Sequence, residues 1–222
     1  MEEFNINLAA DILYNSRINI KRIKELPKDC TPKTFQEAYA IQDELTKRYL
    51  LENKKTLVIG KKIGCTNEAA KKQLNVNDSF YGNMFSNNIS KSNVIINPNK
   101  YFRPFVEPEF SFVMKNELDV SKAPYSSEIV YESILEVFPS IELVDSRYED
   151  WTTIGVKNLI ADNAVHAHWV YGEGIKELNL FNFKNHSVDL FINGKFIEKG
   201  NASAVMGTPI KSLTWLINNL AI

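Results

Sequence analysis

Apolar residues recur with a helical period twice near the start of the chain. Between Asn5 and about Ile20, the positions Ile6, Ala9, Ala10, Leu13 and Ile20 predict an amphipathic helix. Thr34 and Glu37 then form a capping-box pattern, and Phe35, Ala38, Ile41, Leu45 and Tyr49 mark one face of a second helix reaching about Glu52. The pattern changes at "TLVIGKKIGCT", a β-prone run. "NEAAKKQLNV" follows as a short helix capped by Asn67, and residues 75–104, rich in Asn, Ser and Pro, predict loops and short strands. "FVEPEFSFVM" reads as a strand, "SSEIVYESILEVF" as a helix ending before Pro139, "PSIELVDSR" as a second strand and residues 159–171 as a third. In "VDLFINGKFIEKG" the Asn193-Gly194 pair between two β-prone runs predicts a hairpin. Finally, Thr208 and Pro209 open a helix with the face Ile210, Leu213, Leu216, Ile217 and Leu220. Strands with helices between and around them predict a mixed α+β fold. The expected organisation is a single domain over 1–222, with a helical part at about 1–55 and a mixed sheet or roll at about 56–222.

Charge narrows the set of partners. The chain has 222 residues and a formal charge of −1, with acids and bases interspersed, so neither a nucleic-acid stripe nor a polybasic membrane anchor is present. The N-terminus begins acidic and no window is apolar enough to span a bilayer, which predicts a cytoplasmic protein with a small-molecule partner. Cys30 and Cys65 fit no CxxC pattern, so neither a disulfide framework nor a thiolate metal site is expected.

Candidate chemistry comes from acids placed in apolar strands. Glu107 and Glu109 share one face of "FVEPEFSFV", opposite Val106, Pro108, Phe110 and Phe112. Same-face residues two apart lie roughly 6–7 Å from each other, within reach of one cation. A solvated outer face is the competing reading, but Pro108 marks an edge or irregularity, and a third acid, Glu142, stands alone in "PSIELVDSR" between Ile141 and Leu143, which are expected to face the core. Three carboxylates on two strands repel one another unless a hard cation neutralises them, and an all-oxygen set suits Mg²⁺ or Mn²⁺.

Five motifs in order carry a family resemblance: "GKKIGCTNEAAKKQLNVNDSFYGNMF", "VEPEFSFVM", "PSIELVDSRYEDW", "ADNAVHAHWVYG" and "GNASAVMGTPIKSLTWLINNLA". From about residue 35 onward the chain resembles the 2-keto-4-pentenoate hydratase and 4-oxalocrotonate decarboxylase family of the fumarylacetoacetate hydrolase superfamily. That resemblance implies a mixed β-barrel-like roll flanked by helices, with Glu107, Glu109 and Glu142 as ligands of Mg²⁺ or Mn²⁺ and Lys62 of "KIG" as the catalytic lysine. It also implies a 2-hydroxydienoic or 2-oxo acid substrate from aromatic meta-cleavage catabolism. The reaction expected is hydration, with decarboxylation of a 2-oxo diacid or a non-catalytic partner subunit as alternatives. A homo-oligomer, or a complex with a related hydratase or decarboxylase subunit, is implied as well. Family members continue past "WLINNLA" with a pair of strands that complete the barrel, so a roll lacking its last strands is expected here.

Other residues are placed by the same comparison. Asp162 and Asn163 of "ADNA" match a motif near the substrate, although Val165 stands where the family commonly has a small polar residue. Gly207 and Thr208, at a helix N-terminus, suit a substrate carboxylate or a plain cap. Lys61 is expected to be solvated, and Asp145 with Arg147 to form a structural ion pair. His166 and His168 share a strand face, but no third imidazole has useful spacing, so a structural or supporting role is expected rather than ligation.

Overall fold

The computed structural model describes residues 4–221. In chain order, helices α1 (Ile6–Ile18) and α2 (Phe35–Glu52) lead into strand β1 (Val58–Gly64) and helix α3 (Glu68–Leu74). Strands β2 (Phe80–Phe85), β3 (Ile89–Lys91) and β4 (Phe105–Met114) follow, then helix α4 (Ser127–Glu132), strand β5 (Ile134–Val144), helix α5 (Val156–Ala161) and strand β6 (His166–Tyr171). Strands β7 (Ser187–Ile192) and β8 (Lys195–Asn201) precede helix α6 (Pro209–Leu220). The strands pair as β1-β2, β3-β6-β5-β4 and β7-β8. The architecture is therefore mixed α and β, and no closed barrel forms among the described residues.

Two compact units are distinguished by their contacts. One gathers the chain up to Cys65, Ala69–Glu107 and Glu142–Val170; the other gathers Thr66–Glu68, Pro108–Ile141 and the chain from Tyr171 onward. In the first, the capping box at α2 forms as the sequence predicts: Glu37 N donates to Thr34 Oγ1 at 3.1 Å and Thr34 N donates to Glu37 Oε2 at 2.9 Å. Ala9, Ala10 and Leu13 of α1 are buried together with Ile41 and Leu45 of α2, where the two alanines let the helices approach closely. Burying a side chain such as Leu13 contributes roughly 2 kcal/mol. An Arg48–Asp11 ion pair adds to the same contact.

In the second unit, Val130, Ile134, Val137, Ile210 and Leu213 form the core, with Phe110 and Phe112 packed against it. α6 buries the predicted face, although Leu220 is exposed and the Thr208 side chain makes no capping hydrogen bond. Asn193 and Gly194 turn the β7-β8 hairpin with φ of +53° and +74°.

Two segments differ from expectation. The helix expected to run to Phe138 stops at Glu132, and "ILEVFPSIELV" is one strand, β5. Its β-branched and aromatic residues suit a paired strand; Pro139 lacks an N–H but its carbonyl still accepts from Gly172 N at 2.8 Å. Residues 159–171 are not one strand, since α5 ends at Ala161 and β6 begins only at His166.

Candidate metal and substrate site

β4 carries Glu107 and Glu109, and β5 carries Glu142. Each offers a carboxylate oxygen, and the three oxygens lie within 4.8 Å of one another. Their environments differ. Glu107 is exposed and Glu109 half-buried, whereas Glu142 is 1% exposed. This reverses part of the expectation for β5: Glu142 shares a buried face with Ser140 and Val144, and it is Ile141 that stands 38% exposed. On β4, Val106 is likewise exposed rather than packed.

A carboxylate this deeply buried needs partners. Lys62 of β1, itself buried, places Nζ 3.0 Å from Glu142 Oε2. The two side chains form a buried ion pair. Lys62 Nζ also donates to Ala164 O at 3.3 Å. On the other side, His166 Nδ1 lies 2.6 Å from Glu142 Oε1. Burial works to raise the Glu142 pKa, but Lys62 and His166 together outweigh it and hold the carboxyl below its ordinary value. At Glu107 desolvation prevails over the attraction of Lys62, and Glu142 adds repulsion, so its pKa is raised although its surface is open.

Lys61, next along β1, points the other way, donating to Asn83 Oδ1 and lying 5.5 Å over the Tyr81 ring. It is therefore half-buried and hydrogen-bonded rather than solvated, with its pKa lowered by burial.

Lys62 and Glu107 line a cavity of about 110 Å³ whose remaining wall includes Phe80, Phe105, Trp151 and Leu74. Cys65 is also on this wall; burial pushes its thiol up to about 11, so it stays protonated. Val165 and Ala164 complete the wall from a loop in which Asn163, Ala164 and Val165 all have positive φ, of 55°, 50° and 56°. A left-handed β-branched residue costs on the order of 1–3 kcal/mol, which the surrounding bonds must hold in place. Val165 N donates to Asp162 O at 3.0 Å and Asp145 N donates to Val165 O at 2.9 Å. The bend turns the Ala164 carbonyl to Lys62. It also demands Gly82 on β2, where an added Cβ would lie 2.4 Å from Asn163 O.

Asp162 and Asn163, expected near substrate, have side chains committed to the framework. Asp162 accepts from Arg147 Nε at 2.6 Å and from Arg147 N at 2.9 Å. Asn163 accepts from Asn83 N at 2.7 Å and donates to Asn83 O at 2.9 Å. Arg147 thus pairs with Asp162 rather than Asp145, which instead accepts from Phe102 N and Arg103 N. Gly207 and Thr208 lie in the second unit, lining a cavity of about 640 Å³ with Lys184, Lys211 and Phe181. His168 Nε2 lies 3.0 Å from Ser90 Oγ, in keeping with a structural role. Two contributors carried no functional signal in the sequence: Gly82, and Gln42, which donates to Tyr81 O and Ile160 O at 3.0 and 2.9 Å and so ties β2 to α5.

No family model matches the chain. It is 28% identical to the TodF product hydratase of Pseudomonas putida (strain F1) over 216 residues, covering 97% of this chain and 79% of the relative. A 2-hydroxypent-2,4-dienoate hydratase of Pseudomonas putida is 26% identical over 221 residues, covering 99% of this chain and 97% of the relative. Among solved structures, the 4-oxalocrotonate decarboxylase from Pseudomonas putida G7, complexed with magnesium and adipate, is similar with a TM-score of 0.89 and 28% identity, covering 97% of this chain and 80% of that one. The chain is a homologue of the 2-keto-4-pentenoate hydratases and 4-oxalocrotonate decarboxylases.

Proposed function

We propose that the protein is a Mg²⁺- or Mn²⁺-dependent lyase that hydrates a 2-hydroxy-2,4-dienoate (2-keto-4-pentenoate) to a 4-hydroxy-2-oxo acid, on a fumarylacetoacetate-hydrolase-like roll. The observation that carries this reading is the convergence of Glu107, Glu109 and Glu142 beside the buried Lys62, in a homologue of hydratases. The donor set is all oxygen and one donor is deeply buried, which fits a hard divalent cation. A bound cation supplies Lewis-acid polarisation of the substrate carboxylate and its adjacent 2-oxygen.

The chain's own groups do the rest. Glu107, Glu109 and Glu142 hold the charge of the site; three carboxylates against one divalent ion leave a net −1, which the Lys62 ammonium offsets when an anionic substrate enters. Lys62 Nζ is also the group placed to hold or deliver a proton at the dienoate. The aromatic wall excludes bulk water from the carbon chain.

The cavity favours hydration over decarboxylation. Among its lining residues Lys62 is the one basic side chain, and it is engaged by Glu142; the acid Asp145 is already bound by backbone N–H groups. The remote carboxylate of a 2-oxo diacid would be desolvated there without a counterion, at a cost of several kcal/mol, whereas a vinyl tail gains from the same wall. A cytoplasmic setting and a homo-oligomeric assembly belong to the same proposal.

Two measurements test it. Calorimetric titration with Mn²⁺ is expected to show binding that Glu109→Ala abolishes; equal binding by both proteins rejects the cation site. With Mg²⁺ and enzyme, the absorbance of 2-hydroxypenta-2,4-dienoate is expected to decay. If it holds steady while 4-oxalocrotonate releases CO₂, the protein is the decarboxylase.

A further inference from the structure

We propose that His166 is a positioning residue for Glu142: its buried imidazole fixes the rotation of that carboxylate and so presents Oε2 to a divalent cation. The inference rests on the reading of Glu107, Glu109 and Glu142 as a cation site, and goes beyond it by assigning a role to a side chain that touches neither cation nor substrate.

The geometry is specific. His166 is 0% exposed, Glu142 is 1% exposed, and Nδ1 stands 2.6 Å from Oε1, a short bond of the kind formed with an ionised carboxylate. The terminal torsion of a glutamate is broad and close to two-fold, so packing alone leaves its plane poorly set. Of the two groups that touch this carboxylate, Lys62 is a flexible stem that can yield Oε2 to a cation. The imidazole is a rigid ring on the first residue of β6, and its own carbonyl is gripped by Arg17 Nη2 at 2.8 Å. The ring therefore holds Oε1 from a fixed platform.

A second observation points the same way. His166 Nε2 is buried and has no hydrogen-bond partner among the described residues. A ring kept merely to fill the core would be replaced at no loss by an apolar side chain, whereas leaving a buried nitrogen unmatched is costly. The Nδ1 contact with Glu142 offsets the cost of that unmatched nitrogen. Because a carboxylate oxygen only accepts, the contact requires the ring proton on Nδ1, donated to Oε1. Hydrogen bonds behind a ligand commonly alter metal affinity by ten- to a hundredfold.

Three variants separate positioning from packing. Asparagine carries an amide N–H near the place of Nδ1, glutamine carries one near Nε2, and leucine carries none. Mn²⁺ affinity measured by calorimetry is expected to fall about ten- to a hundredfold in His166→Leu and His166→Gln, and to return to within a few fold of the parent in His166→Asn. Thermal melts accompany each variant, since a purely structural role would order the three by stability and leave the affinity of the folded fraction unchanged. Equal Mn²⁺ affinity in the parent and His166→Leu, or equal weakening in His166→Asn and His166→Gln, overturns the proposal. Should His166→Leu not fold, the asparagine and glutamine pair still decides it. Failure of the parent itself to bind Mn²⁺ would reject the cation site instead, a separate outcome.

Discussion

At the scale of single residues, the site joins one cation to a surplus of anions. Lys62 faces Glu142 across 3.0 Å with both side chains nearly sealed from water. Replacing it by methionine, of similar length, would leave the buried Glu142 with His166 as its remaining partner. Binding of a divalent cation should then be unimpaired or tighter, because a competing positive charge has gone. Turnover of the dienoate should fall by about 10²- to 10⁴-fold, the usual contribution of a positioned acid or base. Parallel Mn²⁺ titration and steady-state assays of Lys62→Met check both halves; loss of cation binding with turnover retained would show the opposite division of labour. The glutamates were legible in the sequence because charges stand out inside apolar strands, and Lys62 only because "KIG" matches a family motif. Gly82 was not, since its need comes from Asn163 O, which folding brings to within 2.4 Å of the place its Cβ would take. Nor was the partner of Arg147: Asp145 and Asp162 look alike in sequence, and the left-handed turn at 163–165 decides which one reaches the guanidinium.

At the scale of elements, local signals succeeded where the chemistry is local. The capping box of α2 needs only residues three apart and forms as read. Thr34→Ala should therefore cost about 1 kcal/mol of stability, measured as a lower urea midpoint with Mn²⁺ affinity unchanged, because Thr34 is exposed and belongs to the helix start. A change in midpoint below a few tenths of a kcal/mol would mean that the cap does not limit unfolding. The hairpin at Asn193-Gly194 was legible for the same reason: two adjacent residues tolerate positive φ. β5 was not. Ile129, Val130, Ile134 and Leu135 suit a helical face, and a short apolar run cannot be told from a strand by period alone. What settles it is pairing with β4 and β6, elements distant in sequence. The same limit explains Glu142, whose burial follows from which face of β5 is covered: Leu143 is buried as its apolar character predicts, whereas Ile141 is 38% exposed.

At the scale of the whole molecule, the net charge of −1 is too small for global repulsion to dominate, so the pH dependence of stability is expected to follow individual buried groups. Burial lowers the pKa of both His166 and His168, the latter helped by the neighbouring His166 and Lys100. The unfolded chain then takes up more protons than the native protein as pH falls through the ordinary histidine value of 6.5. Stability from these groups is thus fully present above about 6.5 and is lost as pH falls toward the folded pKa values. Glu142 has the same sign at a lower window: its carboxyl is held below the ordinary 4.5, so its contribution persists above that value and is lost beneath it. Thermal melts of the metal-free protein should accordingly show a lower melting temperature at about pH 5.5 than at about pH 7, before the carboxylates titrate. His168→Asn, which removes one titrating ring and lies away from Glu142, should flatten that limb without abolishing it. A melting temperature constant down to about pH 5.5 would mean that the two rings take up protons equally in both states, and would reject this account of the pH dependence.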